Sequence, residues 1–482
     1  MAPHPVNIIP KQHHYINEHF IPTKQHCLKV KKLLLDQAHL DSSSVIYMKG
    51  NTEMTRDNTD IDLEFRQESN FFYLTGVDEP GFQLIFHLES EQLYLIAPNI
   101  AQTDIFWKGP SHDSQDLLKR YDVDKIITEP DLPLLFSNLQ PTRLYLFDNT
   151  IQTLAWMRVT EDCIIDYQSL SLALNEARLI KFPWEVNMLR DVMRASSEAH
   201  IRVIQQCRPE MREAYLAAVF QWACAAHQHE VYRQAYLPII ASGPRIATLH
   251  YSKNNHIIRQ NQLVLVDAGG EKCCYGSDIT RTFPANGLFS KEARIIYEIV
   301  LKMQESILVE LKPGVFWTDM ERLAISVLCH ELIKIGILVG EEEELIQRRV
   351  PSAFYYHGLG HSVGLDVHDV GGKDDSTDED EEKEFLKNRP LEANMVLTVE
   401  PGLYFNDTML SIWTEFPGYQ NYFDLNVLAK YREVGGVRIE DTIVITQNGY
   451  ENLTLVPKTI EAIEELMQAT KQHPSSSSLS LS

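Results

Sequence analysis

An apolar run that ends in an aspartate opens the most informative stretch of this chain. Residues 263–287 read LVLVDAGGEKCCYGSDITRTFPANG. The run LVLV is typical of a buried strand, and the segment SDITRTF alternates polar and apolar residues, as a second strand does. Two glycines and the Cys273-Cys274 pair lie between these segments. We therefore predict a β-hairpin that turns at Lys272-Cys273.

The predicted hairpin would place two carboxylates opposite each other. Asp267 and Asp278 are equidistant from a turn at Lys272-Cys273, so their side chains would lie directly across the two strands. Opposed like charges destabilise a hairpin unless a cation lies between them. Taken alone, the pair fits ordinary polar roles, such as capping a turn or pairing with Arg281, as well as half of a carboxylate metal site.

The cysteine pair is a weaker metal candidate than the two aspartates. Adjacent residues of an extended chain point to opposite faces, so Cys273 and Cys274 would not both reach one ion. The seven cysteines are scattered and include no C-x-x-C pair, which is typical of reduced thiols in a cytosolic protein. We interpret both cysteines as structural.

Three downstream segments supply residues that would complete a carboxylate site. YYHGLGHSVGLDVHDVGG contains His357, His361 and His368 among glycines, which disfavour a helix, and it lacks the Glu of the zinc motif H-E-x-x-H. Glu400 follows the apolar strand of ANMVLTVEPGLYF, and Glu440 lies inside the predicted strand of GGVRIEDTIVIT. Each glutamate alone could be a surface residue. Four carboxylates with an imidazole suit two Mn²⁺-like ions, which can activate water for amide hydrolysis.

The chain of 482 residues is long enough for at least two domains. Its first third alternates helical and strand-like stretches, with strands predicted at SSVIYMKG, NFFYLTG, KIIT and TRLYLFD and a hairpin at FQLIFHLESEQLYLIAP. Long amphipathic helices are then predicted at residues 184–207, 291–311 and 317–335. This change of pattern indicates a domain boundary near residue 175.

We therefore predict an N-terminal α/β domain at 1–174, a catalytic domain at 175–468 and a disordered Ser-rich tail at 469–482. The first domain has no cluster of histidines and carboxylates with ligand-like spacing, which favours a structural, oligomerising or substrate-fencing role. The segment KDDSTDEDEEKE at 373–384 is predicted to be a mobile surface insertion, because such a composition cannot form a core.

The charge balance argues against several classes of partner. Forty-four Lys and Arg against 67 Asp and Glu leave a net charge of -23, which would repel nucleic acids and anionic lipid surfaces. No window approaches the roughly 18 apolar residues of a membrane span, and the N-terminus lacks the pattern of a signal peptide. We expect a cytoplasmic protein that binds neither nucleic acid nor membrane.

Together these segments resemble the pita-bread metallopeptidases, peptidase family M24, and within that family the Xaa-Pro peptidases. The resemblance rests on LHYSKNN, the 263–287 stretch, KPGVFWTDM, HGLGHSVGLDVHDVGG, MVLTVEPGLYF and GGVRIEDTIVIT, and in the first half on EFRQESNFFYLTGVDEPG. It implies an α/β creatinase-like domain, similar to the N-terminal domain of aminopeptidase P, followed by an α+β pita-bread catalytic domain.

The resemblance implies a set of metal ligands. Two divalent ions, with Mn²⁺ as the expected metal, would be held by Asp267, Asp278, His361, Glu400 and Glu440. Asp278 and Glu440 would bridge both ions. Glu400 would also be catalytic, because it would handle the proton of the attacking water.

Five further residues match family positions near the substrate. His250, His357 and His368 would line the pocket and steady the scissile carbonyl or the developing oxyanion. Tyr404 and Arg438 would lie beside the ligands or the substrate. We predict catalytic roles for the three histidines and Arg438, and substrate binding by His250, His368 and Tyr404.

The implied activity is hydrolysis, by a hydroxide that two metals activate, of the bond between an N-terminal residue and a penultimate proline. Proline-containing peptides are the expected substrates, and a homodimer or higher homo-oligomer is the expected assembly. Within the fold, a methionine aminopeptidase would share the ligands but not the long first domain, and creatinase-like amidinohydrolases lack the metal set. A non-catalytic pita-bread peptide-binding protein is the remote alternative.

An Xaa-Pro dipeptidase, or prolidase, remains the main alternative. A strict dipeptidase must bind the proline carboxylate with a cation, whereas an aminopeptidase must leave that side open. Lys387 and Arg389 precede Glu400, but the arginine of prolidases falls in register with Leu386. The sequence therefore favours the aminopeptidase.

Overall fold

The computed structural model describes residues 9–10, 20–37, 43–110, 113–147, 162–226, 231–371 and 389–472. It divides the chain into two compact units, Met1–Arg178 and Leu179–Ser482. The acidic segment 373–384 lies outside the described residues, as do residues 473–482 of the predicted tail. The last helix reaches Gln472, so residues 469–472 are helical. Within the described ranges, no helix combines the length and the apolar character that crossing a membrane requires.

The first unit is built on a mixed seven-stranded sheet. Its strands are β1 (Ile9–Pro10), β2 (Ser44–Lys49), β3 (Gln83–His87), β4 (Gln92–Ala97), β5 (Lys125–Thr128), β6 (Arg143–Leu146) and β7 (Ile164–Asp166). They lie in the order β1-β5-β4-β3-β2-β6-β7. The predicted hairpin is the antiparallel pair β3 and β4, whereas β2 pairs with β6, and β4 with β5, in parallel. The strands predicted at SSVIYMKG, KIIT and TRLYLFD are confirmed.

Within the described residues, six α-helices accompany this sheet. They are α1 (Lys24–Gln37), α2 (Ser69–Thr75), α3 (Ile105–Lys108), α4 (Ser114–Arg120), α5 (Leu132–Leu139) and α6 (Ser169–Leu179). Leu135 and Phe136 of α5 belong to the same buried apolar cluster as Val45 of β2 and Ile85 of β3. Full burial of such side chains contributes roughly 1.5–3 kcal/mol each, so this cluster is the core of the unit.

Helix α2 corrects the strand predicted at NFFYLTG. The Glu68 side chain accepts hydrogen bonds from the backbone N–H groups of Asn70 and Phe71, and Gly76 ends the helix in a left-handed conformation with φ 69°. All seven side chains of α2 are buried. A short run that is buried on every side has no apolar periodicity, so the sequence pattern cannot separate a helix from a strand there.

The second unit contains eight helices and eleven strands within the described residues. The helices are α7 (Pro183–Gln206), α8 (Glu213–Ala226), α9 (Lys291–Glu310), α10 (Trp317–Lys334), α11 (Glu342–Gln347), α12 (Asp407–Glu415), α13 (Leu425–Tyr431) and α14 (Ile460–Gln472). The strands are β8 (Arg233–Gln234), β9 (Ile239–Ser242), β10 (Leu263–Asp267), β11 (Gly270–Lys272), β12 (Tyr275–Gly276), β13 (Thr280–Pro284), β14 (Val396–Val399), β15 (Gly402–Tyr404), β16 (Gly436–Arg438), β17 (Asp441–Ile445) and β18 (Tyr450–Asn452).

The strands form four small sheets, ordered β13-β10-β9, β12-β11-β8, β14-β17-β18 and β15-β16. The three long helices predicted from amphipathic spacing are confirmed as α7, α9 and α10. Each has a buried face and an exposed face, as the spacing of its apolar residues requires. The short sheets end close together and carry the polar residues that the sequence singled out.

The hairpin of 263–287 has a register different from the predicted one. Strand β10 pairs antiparallel with β13 so that Asp267 lies opposite Thr280, and Asp278 is not the direct partner of Asp267. The turn lies at Cys273-Cys274, where φ is 48° and 60°. Two-residue hairpin turns of the favoured hand need positive φ at both central residues. Counting residues from the presumed turn could not show that Cys273 and Cys274 would both adopt positive φ.

Glu440 also lies differently from the prediction, which placed it inside a strand. It stands between β16 and β17, where it forms an isolated antiparallel bridge with Thr280. The Glu440 backbone N–H donates to the Thr280 carbonyl at 3.1 Å. This bridge joins the β16–β17 segment to β13 and so brings Glu440 beside the hairpin that carries Asp267 and Asp278.

Candidate metal centre

A cavity of about 250 Å³ contains nine of the ten residues that the sequence assigned to the site. The exception, Tyr404, is fully buried behind it. The lining residues are Leu249, His250, Asp267, Asp278, His357, Gly358, Gly360, His361, His368, Glu400, Arg438 and Glu440.

Strand ends place the carboxylates in this cavity. Asp267 is the last residue of β10, Asp278 precedes β13 by two residues, and Glu400 follows β14 directly. Asp267 and Glu400 thus end buried strands rich in apolar residues, at the point where a charged side chain can leave the core and be solvated or bound.

The histidine segment contains no helix, as its glycines predict. It approaches β14 closely: a Cβ atom on Gly360 would lie 2.2 Å from the Thr398 carbonyl oxygen. The backbone N–H of His361 donates to Thr398 Oγ1 at 3.0 Å, and the Thr398 N–H donates to the His361 carbonyl at 2.8 Å. Glycine at 360 therefore lets His361 lie next to the strand that leads to Glu400.

Three groups of potential ligand atoms overlap in the cavity. Within each group the atoms lie within 4.8 Å of one another, and each group shares a residue with both of the others. The groups are Asp267, Asp278 and Glu440; Asp278, His361 and His368; and His361, Glu400 and Glu440. All five predicted metal ligands are included. His368 joins them, although the sequence assigned it to the substrate. Its ring centroid is 4.0 Å from that of His361.

Burial and crowding raise the pKa values of Asp267, Glu400 and Glu440. The hydrogen bond and charge of His361 instead outweigh burial and hold the pKa of Asp278 below its ordinary value. Burial, together with Asp278 and Glu400, raises the pKa of Glu440 well above its ordinary value. Burial also raises the pKa of Glu400 to about 7, although His361 and Arg438 oppose the shift. Bound cations stabilise the ionised forms of such groups, so the cluster has the electrostatics of a cation site.

His361 points one ring nitrogen at the carboxylates. Its Nε2 lies 3.4 Å from Asp278 Oδ2 and 3.3 Å from Glu400 Oε1, and Nδ1 lies 3.0 Å from the Ser362 carbonyl. Burial disfavours its charged form, but the hydrogen bond to Asp278 and the charge of Glu400 outweigh burial and raise its pKa to about 9. With the Nδ1–H donated to Ser362, Nε2 has the orientation of a metal ligand.

Three residues that the sequence did not assign to the site contact its ligands. Tyr236 Oη lies 2.5 Å from Asp267 Oδ1 and 2.5 Å from Asp278 Oδ1. Thr280 Oγ1 donates to Glu440 Oε2 at 2.6 Å, and Thr398 Oγ1 donates to Glu400 Oε1 at 3.3 Å.

Two of the three carried a signal in the sequence. Thr398 lies two residues before Glu400 in the predicted strand and so shares its face. Thr280 alternates with Asp278 in SDITRTF and so shares its face of the strand. No comparable pattern points to Tyr236, which lies 31 residues before Asp267 in the chain.

Arg438, Tyr404 and His357 form a hydrogen-bonded chain beside the carboxylates. Arg438 Nη2 donates to Asp267 Oδ2 at 2.5 Å, and Nη1 donates to Tyr404 Oη at 3.1 Å. Tyr404 Oη lies 2.9 Å from His357 Nε2, and His357 Nδ1 lies 2.8 Å from the Gly358 carbonyl. Burial and the charge of Arg438 lower the pKa of His357 to about 3. His357 is therefore neutral, with Nδ1–H donated to Gly358 and Nε2 accepting from Tyr404.

His250 and His368 are the exposed histidines of the cavity. The ring of His368 is nevertheless partly desolvated by the cavity wall, and this desolvation, with the neighbouring His361, lowers its pKa to about 4, so the ring is neutral near pH 7. The two cysteines of the hairpin turn belong to none of the ligand groups found among the described residues.

Two family models match the chain. Residues 187–447 match the model of metallopeptidase family M24, and residues 26–144 match the model of the aminopeptidase P N-terminal domain. A curated relative from Coccidioides posadasii, named probable Xaa-Pro aminopeptidase PEPP, is 37% identical over 459 residues. The alignment covers 93% of this chain and 97% of the relative.

Solved structures of similar proteins cover both units. Aminopeptidase PepP of Pseudomonas aeruginosa is similar with a TM-score of 0.79 and 30% identity, over 94% of this chain and 100% of that chain. Aminopeptidase P of E. coli, solved with the inhibitor Pro-Leu, is similar with a TM-score of 0.78 and 30% identity, over 94% and 99% of the two chains.

Proposed function

The chain belongs to metallopeptidase family M24, and on that premise we propose that it is an Xaa-Pro aminopeptidase. It would remove the first residue from peptides that have proline in the second position. The observation that carries this proposal is the set of overlapping ligand groups in one cavity. Relatives named Xaa-Pro aminopeptidase or aminopeptidase P match over more than 90% of the chain, which favours the proline-specific branch.

The cavity residues fit two divalent cations. Carboxylate and imidazole atoms make up all three ligand groups, and such hard and borderline ligands suit Mn²⁺ better than a thiolate-selecting metal. Together the three groups would supply enough carboxylate and imidazole atoms to hold two ions. Bound there, the ions would supply Lewis-acid activation of a water and of the scissile carbonyl. The proposed ligands are Asp267, Asp278, His361, Glu400 and Glu440.

Glu400 is the proposed proton carrier. Its carboxyl lines the cavity 3.3 Å from His361 Nε2, and a general base must lie within hydrogen-bond reach of the water that it deprotonates. Glu400 would accept a proton from the attacking water and pass it to the departing proline nitrogen. That nitrogen has no hydrogen in the peptide and must gain one to leave as an amine.

The histidines of the cavity would bind and orient the substrate. His250 and His368 line the open part of the cavity, where each can donate a hydrogen bond to a peptide carbonyl or oxyanion. His357 is fixed by Tyr404, which Arg438 fixes in turn. Arg438 also binds Asp267, so we assign it the role of positioning a ligand and a histidine together.

Arg438 is already engaged in hydrogen bonds within the protein, which favours an aminopeptidase over a dipeptidase. A dipeptidase must bind the carboxylate of the proline with a cationic side chain. Arg438 is the one arginine or lysine among the described residues that line the cavity. Its guanidinium already donates to Asp267, Tyr404 and Thr280. A substrate that continues past proline would need no such cation.

The experiment that tests the function compares three synthetic peptides after metal removal and addition of Mn²⁺: an Xaa-Pro dipeptide, an Xaa-Pro-Yaa tripeptide and the matched Xaa-Ala-Yaa tripeptide. We expect the first residue to be released from Xaa-Pro-Yaa at the highest kcat/KM, measured by chromatography of the free amino acid. The Asp278→Asn variant is the inactive control.

Two results would contradict the proposal in different ways. Release of the first residue from the dipeptide alone would replace the aminopeptidase with a dipeptidase. Absence of hydrolysis of every proline peptide, with two equivalents of metal bound, would remove the Xaa-Pro assignment altogether.

Several finer properties belong to the same proposal. We propose Mn²⁺ as the working metal, a homo-oligomeric assembly and a cytoplasmic location, the last supported by seven cysteines that form no disulfide. The domain limits 1–174, 175–468 and 469–482 remain predictions. Activity with a series of divalent metals, sedimentation velocity and cell fractionation test these properties one by one.

A further inference from the structure

His250 lies on a long connection between β9 and β10 in the catalytic unit. The part that contains His250, residues 242–256, begins at the end of β9 and passes through a 3₁₀ helix at Gly243–Ala247. We call this part the 242–256 connection. His250 is exposed in the cavity, so packing around its own side chain contributes little to its position. Its neighbours along the connection must set where its ring lies.

One buried carboxylate collects hydrogen bonds from both ends of this connection. Glu213, the first residue of α8, has a fully buried side chain. Its Oε1 accepts from the Ser242 N–H at 3.0 Å, from Ser242 Oγ at 2.7 Å and from Arg245 Nε at 3.3 Å. Its Oε2 accepts from Tyr251 Oη at 2.7 Å and from the His256 N–H at 3.0 Å.

The five donors saturate the carboxylate, which offers about four lone-pair directions. They come from both sides of His250: Arg245 precedes it by five residues, and Tyr251 follows it directly. The Glu213 N–H also donates to the His256 carbonyl at 3.0 Å. Because the charge is buried, these bonds are stronger than they would be in water, and their loss is costly.

Other contacts hold different parts of the same connection. Tyr356 Oη donates to the Ala247 carbonyl at 2.7 Å, and Asn406 Nδ2 donates to it at 3.0 Å. Asn254 Nδ2 donates to the Pro238 carbonyl at 2.7 Å. Between Ala247 and Asn254, the Tyr251 hydroxyl is the anchor nearest to His250, and it binds Glu213.

We propose that Glu213 is a positioning residue for the peptidase reaction: its carboxylate closes the 242–256 connection and thereby fixes His250 at the scissile carbonyl. The inference rests on the proposed function only for the identity of the substrate. Glu213 contacts neither the cavity nor a ligand group among the described residues, so it acts through His250.

A glutamine at 213 keeps the shape of the side chain but cannot satisfy the same donors. Its amide has one oxygen and one NH₂ group. If the NH₂ replaces Oε2, the His256 N–H loses its acceptor. If it replaces Oε1, the Ser242 N–H loses its acceptor. Either orientation releases one end of the connection.

The test is a double-mutant cycle on the metal-loaded, full-length protein with an Xaa-Pro-Yaa tripeptide. We expect Glu213→Gln to lower kcat/KM roughly 10- to 100-fold, the size of effect that a misplacement of about 1 Å produces. In the His250→Ala background, the same substitution should lower kcat/KM less than about threefold, because the group that it positions is absent. Equal losses in both backgrounds, or no loss in the first, would overturn the proposal.

A matched control separates positioning from general damage. Glu331 is another buried carboxylate of this unit; it accepts from Lys302 Nζ at 2.5 Å and from Lys334 Nζ at 3.1 Å, outside the cavity lining. Glu331→Gln should leave kcat/KM within about twofold of wild type. Metal content of Glu213→Gln should equal that of wild type, since a loss of metal would assign the effect to the ligands and overturn the proposal.

Hydrogen exchange provides a readout that does not depend on the substrate. We expect the amides of 242–256 to exchange faster in Glu213→Gln than in wild type, with the Glu331→Gln pattern unchanged. Unaltered exchange in this connection would overturn the proposal even if activity fell. Wild-type protein that cleaves no proline peptide would instead overturn the proposed function, and the exchange data would still decide whether Glu213 fixes the connection.

Discussion

Glu440 and Asp441 are adjacent and almost fully buried, at 2% and 0% exposure, yet their pKa values shift in opposite directions. Glu440 belongs to an acidic centre, defined here as Asp267, Asp278, Glu400 and Glu440. Burial, with Asp278 and Glu400 next in size, raises its pKa well above the ordinary value. Burial would also raise the pKa of Asp441, but Arg281 and Lys458 outweigh burial and hold it below its ordinary value.

Asp441 belongs to a balanced network with Arg281 and Lys458. Arg281 Nη2 donates to Asp441 Oδ1 at 2.7 Å, and Lys458 Nζ donates to Oδ2 at 2.6 Å. Arg281 Nη1 also donates to the backbone carbonyl of Glu440 at 2.6 Å. The balanced network therefore holds the backbone of the same residue whose side chain enters the acidic centre.

The difference separates two uses of buried charge. In the balanced network, cations of the chain satisfy the carboxylate, and the result is a rigid support. In the acidic centre, carboxylates outnumber the neighbouring cations, and the remaining charge is available to an ion from solution. Substitutions on the two sides of the Glu440–Asp441 peptide bond should therefore have different consequences.

The largest effect is expected for Glu440→Gln. Loss of one carboxylate should lower metal affinity and reduce kcat/KM by about 10³-fold or more, because Lewis-acid activation contributes several kcal/mol. The stability of the metal-free protein in urea should be unchanged or higher, since a carboxylate with a raised pKa is removed. Metal analysis and urea unfolding check both parts. A metal-free variant that unfolds at much lower urea would show that Glu440 is a structural residue.

Asp441→Asn should have the opposite profile. Removal of one partner of a buried ion pair costs about 3–5 kcal/mol, because Arg281 and Lys458 keep buried charges without a carboxylate. The folded fraction should still bind two metal ions, with kcat/KM within about tenfold of wild type. Urea unfolding and kinetics below the unfolding transition measure the two quantities. Wild-type stability together with lost metal would reverse our assignment of the two regions.

The pH dependence of stability should also differ between metal-free and metal-loaded protein. The pKa of Glu400 is about 7 in the folded protein and 4.5 as its ordinary value, so the folded state binds more protons between these values. Stability of the metal-free protein should therefore fall as pH rises from about 4.5 to about 7, by at most about 3 kcal/mol.

His361 adds to this decline at higher pH. Its pKa is raised from 6.5 to about 9, so its contribution is present below pH 6.5 and is lost as pH rises towards 9. Bound metal keeps the carboxylates ionised and His361 neutral, and should flatten the curve. Asp441 acts in the other direction, because its contribution is lost only as pH falls below about 3.8. Thermal melts across pH 4–9, with and without Mn²⁺, measure these slopes; parallel curves would contradict the expectation.

The smallest effect is expected at the turn of the hairpin, which lies outside both the acidic centre and the balanced network. The double variant Cys273→Ser with Cys274→Ser should bind two metal ions and keep kcat/KM within about twofold of wild type, because the turn contributes no ligand group. Metal analysis of the purified variant provides the check. Loss of metal from a variant with an intact fold would count against the ligand set.

Flanking residues singled out most of the candidate site residues in the sequence. The family resemblance, the two-part fold class and the metallopeptidase assignment are confirmed by the matches over both units. Glu400 could be singled out because it ends an apolar strand before Pro401, and His361 because it stands in a glycine-rich segment. Both signals are local in the chain.

The errors had physical reasons of a different kind. The register of the hairpin depended on two cysteines with positive φ. Cysteine has no intrinsic preference for this conformation, so the sequence did not indicate it. The helix at Ser69–Thr75 depended on burial from every side and on capping by Glu68. Tyr236 contacts residues 31 and 42 positions away, and Glu213 contacts residues 29 to 43 positions away. No local pattern therefore marked either of them.

The sequence by itself determined which side chains could bind metal, since ligand chemistry belongs to residue types and their immediate neighbours. Only the tertiary structure decided how those side chains are charged and held. It placed Glu440 beside other carboxylates and Asp441 beside two cations. It also brought Glu213 into contact with the connection that carries His250. Burial and long-range packing fix these relations, and neither quantity is a property of a local stretch of chain.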